Sequence, residues 1–250
     1  MAPGISDRSF NYGDGVFTTM LVCDGQLQLW PLHLSRLQVA ANRLGFGPVD
    51  WEKLQHDVFT TISSAHQVIK LLLSRGEGGR GYSPAGITQP HWYISQSAVP
   101  DYAVAAEQGI SVETAELKLA VQPLLAGLKH NNRLEQVLLK QEQSRRGVDD
   151  LLVLDQLGYV TEAISANVFF YRNGQWATPK LHRAGVAGVM REALLARHKI
   201  AQHDWQYETL MPIDAMFICN AIMGVIPVKL FDGRPLDISP VLQFRRQMTC

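Results

Sequence analysis

Between residues 16 and 97 the spacing of apolar side chains changes period in a set order, and that order restricts the fold more than any other feature of the chain. VFTTMLVCDGQLQLW, residues 16 to 30, holds two apolar stretches around Asp24-Gly25, a pair that favours the positive φ values of a tight hairpin turn. HLSRLQVAANRLG then puts Leu34, Leu37, Ala41 and Leu44 at helical spacing and stops at Gly45. WEKLQHDVFTTI repeats the pattern through Leu54, Val58 and Ile62, and QVIKLLLSRG and PHWYISQSAV return to strand character. A stripe with helical period cannot be buried as a strand, because successive strand side chains point to opposite faces. The order strand pair, two helices, two strands predicts an α+β arrangement around an antiparallel sheet.

A change of composition over Pro100 to Gln108 reads as a linker. Beyond it GISVETAEL, DLLVLDQLGYVTEA and NVFFYRNGQWATP supply strands, with turns at Asp155 to Gly158 and at Asn173-Gly174. Helices are predicted over residues 131 to 146, with Leu134, Val137 and Leu138 as the apolar face and Glu142 paired with Arg146, and over residues 188 to 198. AMFICNAIMGVIPVKLFDG reads as strand, loop, strand around Asn220 to Gly224. The expected division is a smaller N-terminal α+β domain, residues 1–105, and a larger strand-rich C-terminal domain, residues 106–250.

The 23 basic and 23 acidic residues cancel, so no broad field draws the chain to nucleic acid or to an anionic membrane, and any anion must be held locally. No apolar run reaches the ~18 residues of a membrane span, and the N-terminal MAPGISDRSFNYGDG lacks the pattern of an export signal. Cys23, Cys219 and Cys250 are odd in number and have no C-x-x-C spacing, which suits a reducing cytoplasm. The histidines show no metal-ligand spacing, so no metal is expected, and no G-x-S-x-G elbow is present.

GEGGRG, residues 76 to 81, matches G-x-G-x-x-G, but Tyr82-Ser83-Pro84 and another strand follow where a dinucleotide site needs a helix. A hairpin loop carrying Arg75 and Arg80 fits better, and such arginines can grip carboxylates in bidentate fashion. Lysine chemistry remains, since an amine with a lowered pKa condenses with carbonyls. Lys70 lies among apolar strand residues; Lys129 sits between Gly127 and the potential helix caps Asn131 and Asn132. Pattern alone leaves both open.

SDRSFNYGDGVFTT, HLSRL, SRGEGGRGY, LAGLKHNNRLEQVLLKQE, VTEAISANVFF and AGVAGVMRE stand in the order found in fold-type IV pyridoxal-phosphate enzymes. The chain resembles that family over nearly its whole length, and KHNNRLEQ and SRGEGGRGY are similar to its lyase branch rather than to its branched-chain or D-amino-acid aminotransferases. The resemblance implies two mixed α/β domains, the second carrying the cofactor lysine, and a homodimer acting on a small-molecule substrate. The reaction it implies is release of pyruvate from 4-amino-4-deoxychorismate to leave 4-aminobenzoate. An aminotransferase of the same fold and a catalytically idle cofactor-binding protein are the alternatives.

Carried over by resemblance, Lys129 is the catalytic residue and the attachment point of pyridoxal 5'-phosphate, and Glu162 meets the pyridine nitrogen. Arg36 binds the phosphate, as do backbone N–H groups at Val189 and Met190 and, on a later loop, Asn220 and Ala221. Apart from the resemblance, Arg80, together with Arg75, is expected to orient a substrate carboxylate, and Tyr12 and Thr19 are expected to line the wall. The chain reaches SDRSFNYGDG after five residues, where the resemblance implies a further N-terminal strand, so that strand is expected to be missing or cut short and the sheet edge less protected.

Overall fold

The computed structural model describes residues 3–247, and the chain in it divides into two compact units. The first comprises the described residues up to Val99 together with Leu128–Asn132; the second comprises Pro100–Gly127 and the described residues from Arg133 onward. Cys250 lies outside the described residues.

In the first unit the elements run α1 (Arg8–Tyr12), β1 (Gly15–Cys23), β2 (Gln26–Leu27), α2 (Trp30–Arg43), α3 (Trp51–Thr60), β3 (Gln67–Ser74) and β4 (His91–Ser97). The strands form one antiparallel sheet in the order β2-β1-β3-β4. Asp24 and Gly25 take φ values of 51° and 75°, the left-handed pair that matches the twist of a two-residue hairpin. The second strand of that hairpin is only two residues long, because Trp30 begins α2, with Pro31 in its first turn. Along β1 the side chains Val16, Thr18, Met20 and Val22 are buried and alternate with half-buried ones, and Leu37, Ala40 and Ala41 of α2 are also buried. Among the described residues no strand precedes Gly15; Asp7 makes an isolated bridge with Glu77.

The second unit contains α4 (Ala103–Gln108), β5 (Ile110–Thr114), α5 (Leu134–Arg146), β6 (Asp150–Leu154), β7 (Val160–Ala163), β8 (Asn167–Arg172), β9 (Gln175–Pro179), α6 (Val189–Arg197), β10 (Ala201–His203), α7 (Tyr207–Leu210), β11 (Ala215–Asn220), β12 (Gly224–Phe231), β13 (Arg234–Pro235) and α8 (Ser239–Arg246). Its sheet runs β10-β9-β8-β11-β12-β5-β6-β7, with β13 added to β12. Only Ile164–Ala166 joins β7 to β8, although four strands lie between them in the sheet. Laid flat, five strand spacings are about 24 Å, whereas that connection reaches about 14 Å at most. The sheet therefore curls, and the bond from Ala163 N–H to the Ala166 carbonyl closes the turn.

Three expectations need correction. The predicted linker holds α4, with Ala106 buried in the core beside Val228 and Phe231. The helix predicted from residue 131 starts at Leu134, and its predicted apolar face is outward: Leu134, Val137 and Leu138 are 78, 51 and 49 % exposed, while Leu139 and Glu142 are the buried side chains. Glu142 is accepted inside because it takes the N–H groups of Glu116 and Leu117 and the Arg146 guanidinium, 2.8 Å away. Finally, the segment carrying Lys129 belongs to the first unit, not the second, since its backbone is joined to β1.

Candidate active site

Lys129 is held by main-chain bonds on either side of its side chain. Phe17 N–H donates to the Lys129 carbonyl at 2.9 Å, Val16 and His130 form an antiparallel bridge, and Asn131 N–H donates to the Gly15 carbonyl at 2.9 Å. Asn131 and Asn132 do not cap α5: the first bonds the Ser9 hydroxyl and the second donates to the Gly13 carbonyl. The lysine is half-buried, with Nζ 4.5 Å from the centre of the Phe17 ring; Nζ of Lys70 approaches the same ring at 4.9 Å. Thr19, paired with Lys70 across the sheet, is half-buried.

On the buried side of β1, α2 brings His33 and Arg36 to Thr18. The His33 Nδ1 to Thr18 Oγ1 distance is 2.6 Å, and Arg36 Nη2 donates to the same oxygen at 2.5 Å. Burial, with the charges of Arg36 and Lys129, pulls the His33 pKa down to about 3, so the ring is neutral near pH 7. His33 was not singled out from sequence; its spacing of three from Arg36 on a predicted helix was the available signal.

In the second unit, Glu162 on β7 is 4 % exposed, and its Oε2 accepts the Val186 N–H at 2.8 Å. Asn167 on β8 grips the same loop, donating to the Val186 carbonyl at 2.9 Å and accepting the Gly188 N–H at 3.1 Å. A Cβ on Gly188 would lie 2.1 Å from Asn167 Oδ1, so glycine permits this approach. Gly188 precedes α6 and supplies no side-chain cap; the first bond inside the helix is Glu192 N–H to the Gly188 carbonyl. The N–H groups of Val189 and Met190 are thus not consumed by the helix, the arrangement that receives anions. Arg133, also missed from sequence, lies in the field of Glu162 and Glu135, but its burial outweighs them and lowers its pKa. The Asn220 side chain is used in the β11–β12 loop, accepting the N–H groups of Ile222 and Met223 at 2.9 Å each, so contacts there fall to backbone at Asn220 and Ala221.

The two arginines of the glycine-rich loop differ in kind. Arg75 is a correction: it is 6 % exposed and its nitrogens bond Asp14 and the carbonyls of Gly45 and Leu44, each at 2.7 Å, so it is committed to the fold. Arg8, missed from sequence, shares Asp14 and ties down the carbonyls of Gly81, Tyr82 and Ser83. Burial alone would raise the Asp14 pKa; hydrogen bonds and charge from Arg75 and Arg8 prevail and hold it below the usual carboxylate range. Arg80 is exposed on that loop, and Tyr12 accepts the Gly81 N–H at 3.1 Å. Elsewhere Cys23, Asp24 and His66 bring donor atoms within 4.8 Å of one another at the hairpin, a grouping that linear spacing hides.

Each unit by itself holds groups whose chemistry suits part of pyridoxal phosphate: the first a half-buried lysine and an arginine held by buried polar groups, the second a buried carboxylate and an uncapped helix start. Comparison with known proteins gives the family. The family described as amino-transferase class IV matches residues 15–231, and the chain belongs to that family. It is 38 % identical over 231 residues to an aminodeoxychorismate lyase of Vibrio harveyi, covering 90 % of this chain and 85 % of that one. The crystal structure of 4-amino-4-deoxychorismate lyase from Pseudomonas aeruginosa superposes with a TM-score of 0.91 at 36 % identity, covering 99 and 95 % of the two chains. The branched-chain amino acid aminotransferase of Escherichia coli shares the fold, with a TM-score of 0.85 at 23 % identity over 98 and 88 %. The architecture is that of the fold-type IV enzymes.

Proposed function

We propose that the chain is a pyridoxal-phosphate-dependent lyase that converts 4-amino-4-deoxychorismate to 4-aminobenzoate and pyruvate, a step in folate synthesis. The observation that carries this reading is the seat of Lys129, pinned to β1 through its own carbonyl and its neighbours, half-buried, and close enough with Arg36 to depress the His33 pKa. Its likeness to two lyases at 38 and 36 % identity supports the choice of reaction.

When bound, pyridoxal phosphate supplies a conjugated ring that draws electrons from the carbon bearing the substrate amine. Lys129 would hold the group through its amine and would be the base that takes the proton from that carbon onto Nζ. The enolpyruvyl oxygen then leaves the neighbouring carbon with its electron pair, the substrate ring becomes aromatic, and enolpyruvate ketonises to pyruvate. Glu162, oriented by the Val186 N–H, favours a proton on the pyridine nitrogen. Arg36 and the N–H groups of Val189 and Met190 receive the phosphate, with the backbone of Asn220 and Ala221 as further donors. Arg80 orients a substrate carboxylate, and Tyr12 and Thr19 form wall.

The proposed assembly is a homodimer in the cytoplasm; the outward Leu134, Val137 and Leu138 of α5 offer apolar surface for a partner copy. To test the chemistry, the protein is incubated with 4-amino-4-deoxychorismate, and equal amounts of pyruvate and 4-aminobenzoate are expected. Pyridoxamine phosphate formed from D-alanine or a branched-chain amino acid, without release of pyruvate from 4-amino-4-deoxychorismate, would favour an aminotransferase. Cofactor uptake without any product would favour an idle binding protein. Lys129→Ala should fold and lose turnover; a borohydride-reducible cofactor bond persisting in that variant would overturn the assignment.

A further inference from the structure

Thr18 occupies a position on β1 where its neighbours on the buried face, Val16, Met20 and Val22, are apolar. A hydroxyl there is costly unless partnered, and Thr18 and His33 are both fully buried. One bonding role follows from chemistry. A guanidinium only donates, so the Thr18 oxygen accepts from Arg36, and the same oxygen meets His33 Nδ1, in a direction set by the imidazole tautomer. His33 Nε2 has no hydrogen-bond partner among the described residues, so Thr18 is the one side-chain partner of the ring there. Thr18 Oγ1 thus links the Arg36 guanidinium to the His33 ring.

We propose that Thr18 and His33 are positioning residues for Arg36: the imidazole orients the hydroxyl, and the hydroxyl holds the guanidinium in the attitude that meets the cofactor phosphate. The inference rests on the reading of Arg36 as a phosphate partner and adds how that arginine is aimed. Thr suits the task because branching at Cβ restricts χ1, so the oxygen has one preferred direction. His33 and Arg36, three residues apart on α2, face the same strand residue.

The test is titration of the full-length apo-protein with pyridoxal phosphate, followed by absorbance and protein fluorescence, with thermal melts of each variant. Arg36→Ala is expected to weaken affinity by about tenfold to a hundredfold, the range for a lost charge-assisted contact. Thr18→Val should weaken it by about fivefold to tenfold, Thr18→Ser should restore it, and His33→Leu should resemble Thr18→Val while His33→Asn, which keeps an acceptor, stays near the wild type. In the Arg36→Ala background Thr18→Val should add nothing, because the two act through one contact. Wild-type affinity in Thr18→Val, or an equal loss with Arg36 already removed, would overturn the relay while leaving Arg36 in place. Wild-type affinity in Arg36→Ala would overturn the phosphate assignment and the relay with it.

Discussion

Acidification should weaken the first unit through one side chain, His33. Its pKa is about 3 in the folded protein against 6.5 for an ordinary histidine, so between those values the unfolded chain binds a proton that the folded chain refuses. Stability from this group is complete above pH 6.5 and is lost as pH falls toward 3. Each pH unit inside the window costs up to about 1.4 kcal/mol, which gives a loss of about 2 kcal/mol between pH 7 and pH 5. The cause is burial first, then the Arg36 and Lys129 cations. Urea unfolding of the apo-protein at pH 7, 6 and 5 measures the effect, with His33→Asn as the reference that cannot take up this proton. Asp150, whose pKa burial raises, contributes in the opposite sense in both proteins and cancels from the difference. The wild type should lose about 2 kcal/mol more than His33→Asn by pH 5. Parallel pH profiles for the two proteins would refute a neutral, desolvated His33.

Arg75→Ala should lower stability by about 2 kcal/mol or more, read by denaturant unfolding, because it leaves half-buried Asp14 with Arg8 as its remaining arginine partner and deprives two carbonyls of their donors. Arg80→Ala should leave the melting curve in place and reduce kcat/KM at least about tenfold; an unchanged specificity constant removes Arg80 from the site. Gly188→Ala sets a Cβ 2.1 Å from Asn167 Oδ1. It should cost about 1–3 kcal/mol and weaken cofactor uptake, and wild-type values for both would mean that the loop relaxes freely. Leu134→Glu with Leu138→Glu should shift sedimentation from dimer to monomer at constant helix content; an unaltered dimer places the contact elsewhere.

The elements were legible where the signal is local. The Asp24-Gly25 turn, the helix ending before Gly45, the Asn173-Gly174 turn and the Glu142–Arg146 pair are contained in a few consecutive residues, and each is present. The Lys129, Arg36 and Glu162 assignments came from family motifs rather than from spacing, and the residues that hold them, His33, Thr18, Asn167 and Val186, were not recognised. Three of those supports are polar side chains beside apolar neighbours and Val186 acts through its backbone N–H, and nothing in the immediate sequence tells a partnered polar group from a solvated one.

By itself, the order of periods in the chain determined the α+β class, the tight turns and most helix and strand bodies, because backbone conformation responds to side chains three or four residues apart. Tertiary structure alone decided which stripe of α5 is covered, that Arg75 is spent on Asp14 and two carbonyls while Arg80 faces solvent, and that Lys129 joins β1 more than a hundred residues earlier in the chain. These outcomes are contests between distant groups for the same buried hydrogen bonds and the same apolar surface, and only the folded chain brings the competitors together.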